Sequence, residues 1–146
     1  MHTKNSIIKD IEQTGIRKNG TLLIHSSMKA IGVVEGGGDS VLDAFIEYMK
    51  DGLLLFPTHS WSDKSLKDGI YDPKTEPACV GILPNLFMKK SGAIRSMHPT
   101  HSVTAMFIHL VLEMVASADF TMRKHNYYFW VPRLRPTHLF TVLKNG

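Results

Sequence analysis

Apolar residues along the first two-thirds of the chain fall in blocks whose spacing alternates between helical and extended. From Ser6 to Arg17, Ile7, Ile8, Ile11 and Ile16 lie near one face of a predicted helix, and Gly15 weakens its end. Gly20 breaks the chain, and Thr21-Leu22-Leu23-Ile24-His25 then reads as a short buried strand bounded by turn formers. Gly36-Gly37-Gly38 is a flexible corner. Asp39 or Ser40 caps a second helix to about Lys50, with Val41, Leu42, Phe45, Ile46 and Met49 as its stripe. Gly52 stands where a helix C-terminal glycine belongs. Leu53-Leu54-Leu55-Phe56 is a second buried strand, stopped by Pro57.

Beyond Pro57 the pattern changes. Thr58 to Pro77 is polar and reads as a long loop, either functional or mobile. Gly81 to Lys90 predicts a helix, with Pro84 tolerable only in its first turn. Ile94-Arg95-Ser96 and Ser102-Val103-Thr104-Ala105-Met106 predict extended segments. Helices alternating with buried strands imply an α/β layered domain. There is no internal repeat and no low-complexity stretch.

Composition narrows the class. The 146 residues suit one domain, and 43% hydrophobic with 21% charged is ordinary for a globular protein. One cysteine, Cys79, excludes an internal disulfide and fits a reducing compartment. No apolar run approaches the roughly 18 residues that span a bilayer, and the start lacks a signal-peptide pattern, so a cytoplasmic protein without membrane contact is expected. The net charge of +4 is unevenly spread. Residues 1–106 carry 12 Lys+Arg against 11 Asp+Glu, whereas residues 107–146 carry 5 against 2. With no basic stripe and no recognised motif, a nucleic-acid partner is not expected.

Three segments place polar groups where apolar elements end. They are His25-Ser26-Ser27 after the first strand, Thr58-His59-Ser60 after the second, and Arg95 to Ser102. In open α/β sheets ligands bind beyond the carboxyl ends of strands, so a site is expected there. Ser26 and Ser27 either line it or cap a turn. His59 is either catalytic or a hydrogen-bonded structural residue. No metal is expected: His98 and His101 are three apart across a proline, and no Cys or carboxylate completes a zinc pattern. The triple glycine lacks the spacing of a dinucleotide or P-loop motif, yet backbone N–H groups near a helix start can face a phosphate.

Four segments in order resemble the aminoglycoside N3-acetyltransferase family: LLIHSSMKAIGVVEGG (22–37), LLLFPTHS (53–60), YDPKTEPACVGILPNLF (71–87) and SGAIRSMHPTHSVTAM (91–106). The family favours proline where Ser91 stands. The resemblance spans about residues 5–106. It implies a layered α/β fold with a central mixed sheet, shorter here than in the family. It also implies transfer of an acetyl group from acetyl-CoA to the 3-amino group of an aminoglycoside antibiotic, a resistance activity. Such a reaction needs a general base for the amine, donors for the oxyanion, and cationic or N–H groups for the CoA phosphates. The resemblance places His25, Ser26, Ser27, Ser102 and Val103 in the cofactor cleft. Arg95 either pairs with a phosphate or serves as a structural partner. Thr58 is the candidate donor near the reacting centre, with His98 close by. A polycationic substrate calls for an acidic pocket, to which Asp63, Asp68, Asp72 and Glu76 are candidates. The hydrolase alternative, with Ser27 as nucleophile, lacks a Gly-x-Ser-x-Gly elbow. The sequence gives no oligomeric state.

The resemblance stops at Met106, dividing the chain into an acetyltransferase region, 1–106, and a tail, 107–146. In the family a later Asn-Thr-x-x-His-x-x-Glu segment supplies the expected general base, and the tail does not spell it. Trp130 to Asn145, WVPRLRPTHLFTVLKN, is compatible in a shifted frame with GATFKTNTFIHSVEE, which contains that segment. The same shift over Phe107 to Phe129 permits YSFGARDGCIGRLYDEKAQLLFL, also family-like. The expectation is therefore a frameshifted tail, with little activity in this chain and a non-catalytic CoA-binding remnant as the alternative. Ile108, Leu110, Val111, Leu112 and Val115 would then pack only opportunistically, leaving an incomplete core.

Overall fold

The computed structural model describes residues 1–61, 71–107 and, as backbone, 127–130. The opening helix α1 (Lys4–Gln13) starts two residues earlier than Ser6 because Thr3 and Ser6 form a capping box. The Ser6 N–H donates to Thr3 Oγ1 at 3.2 Å and the Thr3 N–H to Ser6 Oγ at 3.0 Å. It stops at Thr14, before Gly15 at φ 72°. Ile16 is buried just past the helix rather than on its stripe.

Strand β1 (Thr21–Ile24) is followed by a short helix α2 (Met28–Ile31) that the apolar pattern does not show. Helix α3 (Gly37–Tyr48) begins inside the triple glycine, not at Asp39 or Ser40. Gly36 serves as its N-cap at φ 74°, a left-handed conformation that suits glycine. Strand β2 (Leu53–Pro57) keeps Pro57 as its last residue. Gly52 is not a helix terminator, since α3 ends at Tyr48. A Cβ at Gly52 would lie 2.5 Å from the Gly20 carbonyl, so close backbone approach explains the residue.

Helix α4 (Ile82–Phe87) is shorter than 81–90 and carries Pro84 in its first turn. Strands β3 (Ala93–Arg95) and β4 (Val103–Phe107) follow. A fifth strand, β5 (Tyr127–Trp130), lies in the tail. The candidate apolar run 108–115, and Asp63 and Asp68, lie outside the described residues.

The sheet order is β3-β4-β2-β1-β5. β1 runs parallel to both β2 and β5, while β4 runs antiparallel to β2 and β3, so the sheet is mixed and the layered α/β expectation holds. One core cluster joins α1 (Ile7, Ile11), α3 (Val41, Leu42, Phe45), α4 (Leu83, Phe87) and inward strand residues Leu22, Ile24, Leu54, Phe56 and Met106. β1 alternates partly and fully buried positions, whereas four of five β2 residues are buried. β2 sits between β1 and β4, and its continuous apolar run is what a central strand requires.

Candidate functional site

Parallel pairing of β1 and β2 puts their carboxyl ends side by side, with Leu23 opposite Leu55. His25-Ser26-Ser27 and Thr58-His59-Ser60 therefore emerge at one edge of the sheet. Because β4 is antiparallel to β2, with Val103 opposite Pro57, its entry loop also arrives there. The Thr58 N–H donates to Ser102 O at 2.9 Å and the Ser60 N–H to Thr100 O at 3.0 Å. Ser60 Oγ donates to Pro99 O at 2.7 Å. The three segments picked from the sequence thus converge.

Their side chains divide sharply. Thr58, Ser102 and Thr104 are each 0% exposed. Ser102 Oγ donates to Thr58 O at 2.6 Å, Thr104 Oγ1 to Thr58 Oγ1 at 3.2 Å, and the Thr58 and Ser102 hydroxyls lie 3.3 Å apart. Arg95 closes this network. Its Nε donates to Ser102 Oγ at 2.9 Å and its Nη2 to Thr58 O at 2.6 Å. Its Nη1 donates to the carbonyls of Glu76 and, at 3.3 Å, Pro73. The Tyr71 ring lies over the guanidinium at 5.4 Å, and its hydroxyl donates to Ser96 O at 3.3 Å. Most of the hydrogen-bonding capacity of Thr58, Ser102 and Arg95 is thus engaged within the fold. Val103, half-buried, exchanges bonds with Ser96: its N–H donates to Ser96 Oγ at 3.0 Å, and Ser96 N–H to Val103 O at 2.9 Å.

The end of β1 is different. Ser27 is exposed and precedes α2, yet its hydroxyl makes no capping bond; the first turn is closed by its carbonyl. Ser26 Oγ is buried with no hydrogen-bond partner among the described residues. Neither hydroxyl is spent on turn capping. His25 is exposed at the surface, and the protein around its ring holds its pKa below 6.5 by desolvation.

Histidines gather beyond the end of β2. The His59 ring stacks on Trp61 with centroids 4.6 Å apart, and His101 meets His59 edge-on at 5.3 Å. Desolvation, then the charges of His101, His25 and His98, push His59 below 6.5. His98 is exposed. Its Nδ1 accepts the N–H of His101 at 3.0 Å and of Thr100 at 3.3 Å, which assigns its proton to Nε2. In that tautomer His98 presents a donor, not a base.

The acidic candidates fare unevenly. Asp72 is held below its ordinary value by the Lys74 N–H and the Thr75 hydroxyl, so its carboxylate closes its own turn. Two residues were not singled out from the sequence. Thr104 is a buried polar side chain that strand patterning hides. Asn85 braces the 78–81 loop: its side chain accepts from the Ala78 N–H at 2.9 Å and donates to the carbonyls of Ala78 and Gly81 at 2.8 and 2.7 Å. Its spacing from Gly81, one helical turn, is the signal that would have found it. Among the described residues no group of three His, Cys, Asp or Glu is arranged to hold a metal ion, and no helix is long and apolar enough to cross a membrane.

Comparison with known proteins adds a family to this geometry. The model of the family described as aminoglycoside 3-N-acetyltransferase matches residues 23–106, more than half of the chain. An aminoglycoside N(3)-acetyltransferase III from Salmonella is 29% identical over 123 residues, covering 73% of this chain and 43% of the relative. The crystal structure of the YokD protein from Bacillus subtilis matches with a TM-score of 0.72 at 23% identity, over 90% of this chain and 64% of that one. A mutant of aminoglycoside acetyltransferase AAC(3)-IVa in complex with a gentamicin matches at 27% identity and a TM-score of 0.66, over 73% of this chain and 40% of that one. The chain thus spans less than half the length of the curated relative it matches.

Proposed function

This chain belongs to the aminoglycoside 3-N-acetyltransferase family, and from that premise we propose that its strand-end site serves acetyl-CoA-dependent transfer of an acetyl group to the 3-amino group of an aminoglycoside. The observation that carries this reading is the pairing of HSS at the end of β1 with THS at the end of the adjacent parallel β2, inside the family match. In the overall reaction the amine nitrogen bonds to the thioester carbonyl carbon, the carbon–sulfur bond breaks, and the amine proton passes by way of a base to the departing thiolate. Acetyl-CoA, when bound, supplies the acyl group.

Roles follow from which polar atoms the fold consumes. We assign cofactor binding to His25, Ser26 and Ser27, the two serines contributing hydroxyls that the described residues do not engage. Ser26 in particular gains a partner only from outside the described residues, and a buried hydroxyl without one costs about 1–3 kcal/mol. We assign Arg95, Ser102 and Thr58 a positioning role, because their polar atoms hold the strand end and the 71–76 segment together. His98 is a donor in the tautomer its turn enforces. Exposed Cys79 fits a reducing compartment, and we assign the chain to the cytoplasm.

For the 146-residue polypeptide we propose CoA binding with little turnover. Residues 107–146 do not contain the Asn-Thr-x-x-His-x-x-Glu segment that supplies a base in the resemblance, and the family match ends at residue 106. This supports a frameshifted tail, which reading the coding DNA across codon 106 checks directly. A spectrophotometric thiol-release assay with acetyl-CoA and gentamicin tests the function. The expected result is binding of CoA by calorimetry with turnover near background. Robust acetylation would overturn the low-turnover reading, and absence of CoA binding would overturn the cofactor assignment.

A further inference from the structure

Trp61 is 47% exposed and takes no part in the core cluster, although it follows directly on the buried end of β2. It is nonetheless held in place. His59 lies under it at 4.6 Å with 24° between the ring planes, and His101 flanks it at 5.2 Å. His101 is in turn fixed by the Thr100 hydroxyl at 2.8 Å from its Nδ1 and by the edge of His98 at 5.6 Å. The Thr100 carbonyl accepts the Ser60 N–H, which ties the flanking loop to the strand end. A half-exposed indole held between two rings at the strand ends is the kind of side chain that anchors ligands at low entropic cost.

We propose that Trp61, propped by His59 and His101, is the platform on which the amine substrate of this site lies. The occupant is a hydroxylated ring carrying protonated amines. This rests on the acetyl-transfer reading above and names the surface that would receive the acceptor. Charge favours it: an indole face attracts cations, and among the described residues the ionisable groups that bear on His59 are the imidazoles of His101, His25 and His98. The same arrangement sets a pH dependence. Acidification that charges His59 places positive charge directly under the indole, and affinity for a polyamine falls.

Titration of the 146-residue chain with gentamicin and, separately, with CoA tests this by calorimetry. Parallel tryptophan fluorescence is read in Trp130→Phe, which leaves Trp61 as the single indole of the chain's two. Expected is saturable gentamicin binding that quenches Trp61 and weakens as pH falls from about 7.5 to about 5.5. Trp61→Ala weakens it about ten-fold, Trp61→Phe recovers part of the loss, and CoA affinity stays the same in both. Gentamicin affinity unchanged in Trp61→Ala, or CoA binding with no gentamicin binding at all, overturns the platform and leaves the cofactor reading standing. Absence of binding by either ligand overturns both.

Discussion

The ends of β1 and β2 are built from the same residue types and do opposite things. Beyond β1, the Ser26 and Ser27 hydroxyls make no hydrogen bond to the described protein and His25 stands at the surface. Beyond β2, Thr58 is sealed at 0% exposure, and its carbonyl accepts from both Ser102 and Arg95. The difference comes from the neighbours. β2 also pairs with an antiparallel strand, β4, so the loop entering β4 folds back over its end. Among the described residues β1 has only parallel partners, and parallel neighbours exit in the same direction without crossing back. One end is therefore a brace, and at the other the two serine hydroxyls are left without a partner among the described residues.

The brace should fail hardest when its hub is removed. Arg95→Met is expected to destabilise the chain by about 3 kcal/mol or more, since buried carbonyl and hydroxyl partners lose a charged donor. Urea unfolding read by far-ultraviolet circular dichroism measures this, and a loss under about 1 kcal/mol would erase the distinction between the two ends. Thr58→Val, nearly isosteric, should cost about 1–3 kcal/mol by stranding the buried hydroxyl of Thr104, whereas Ser102 keeps its bond to the residue 58 carbonyl.

A pH series sharpens the comparison at the next level. His59 and His25 titrate below 6.5 in the folded chain, so the unfolded chain binds protons first as pH falls. Their contribution to stability is present above 6.5 and is lost as pH drops through the folded values. The unfolding midpoint should decline from about pH 7 toward about pH 5, with a shallower decline in His59→Phe. Equal slopes in the two proteins would remove His59 from the account. The smallest effect belongs to the open end: Ser27→Ala should change stability by no more than about 0.5 kcal/mol.

How far the sequence exposed this depends on the range of the interactions involved. β1 and β2 were legible because a short apolar run between turn formers has few other uses, and the order of elements pointed to a layered α/β fold. The gathering of His25, Thr58 and Ser102 at one edge was legible too, since strand ends are where such sheets bind ligands. The division of labour among those residues was not. Whether Thr58 faces a cleft or a brace depends on Arg95, 37 residues away, and on Ser102, 44 residues away. Local pattern carries no trace of bonds at that separation. Boundaries erred where a cap competes with a stripe: the box at Thr3 and Ser6 extended α1 backwards, and Gly36 drew the start of α3 into the glycines. Gly52 suited a helix cap by position but answers to the Gly20 carbonyl.

The open end is where the account stands or falls. Calorimetric titration of CoA into the 146-residue chain, alongside Ser26→Ala and Ser27→Ala, measures it most directly. The account predicts saturable one-to-one binding in the parent chain, weakened in both variants while their unfolding midpoints stay within error of the parent. CoA binding that both variants retain unchanged, or no binding by a folded parent chain, would contradict it.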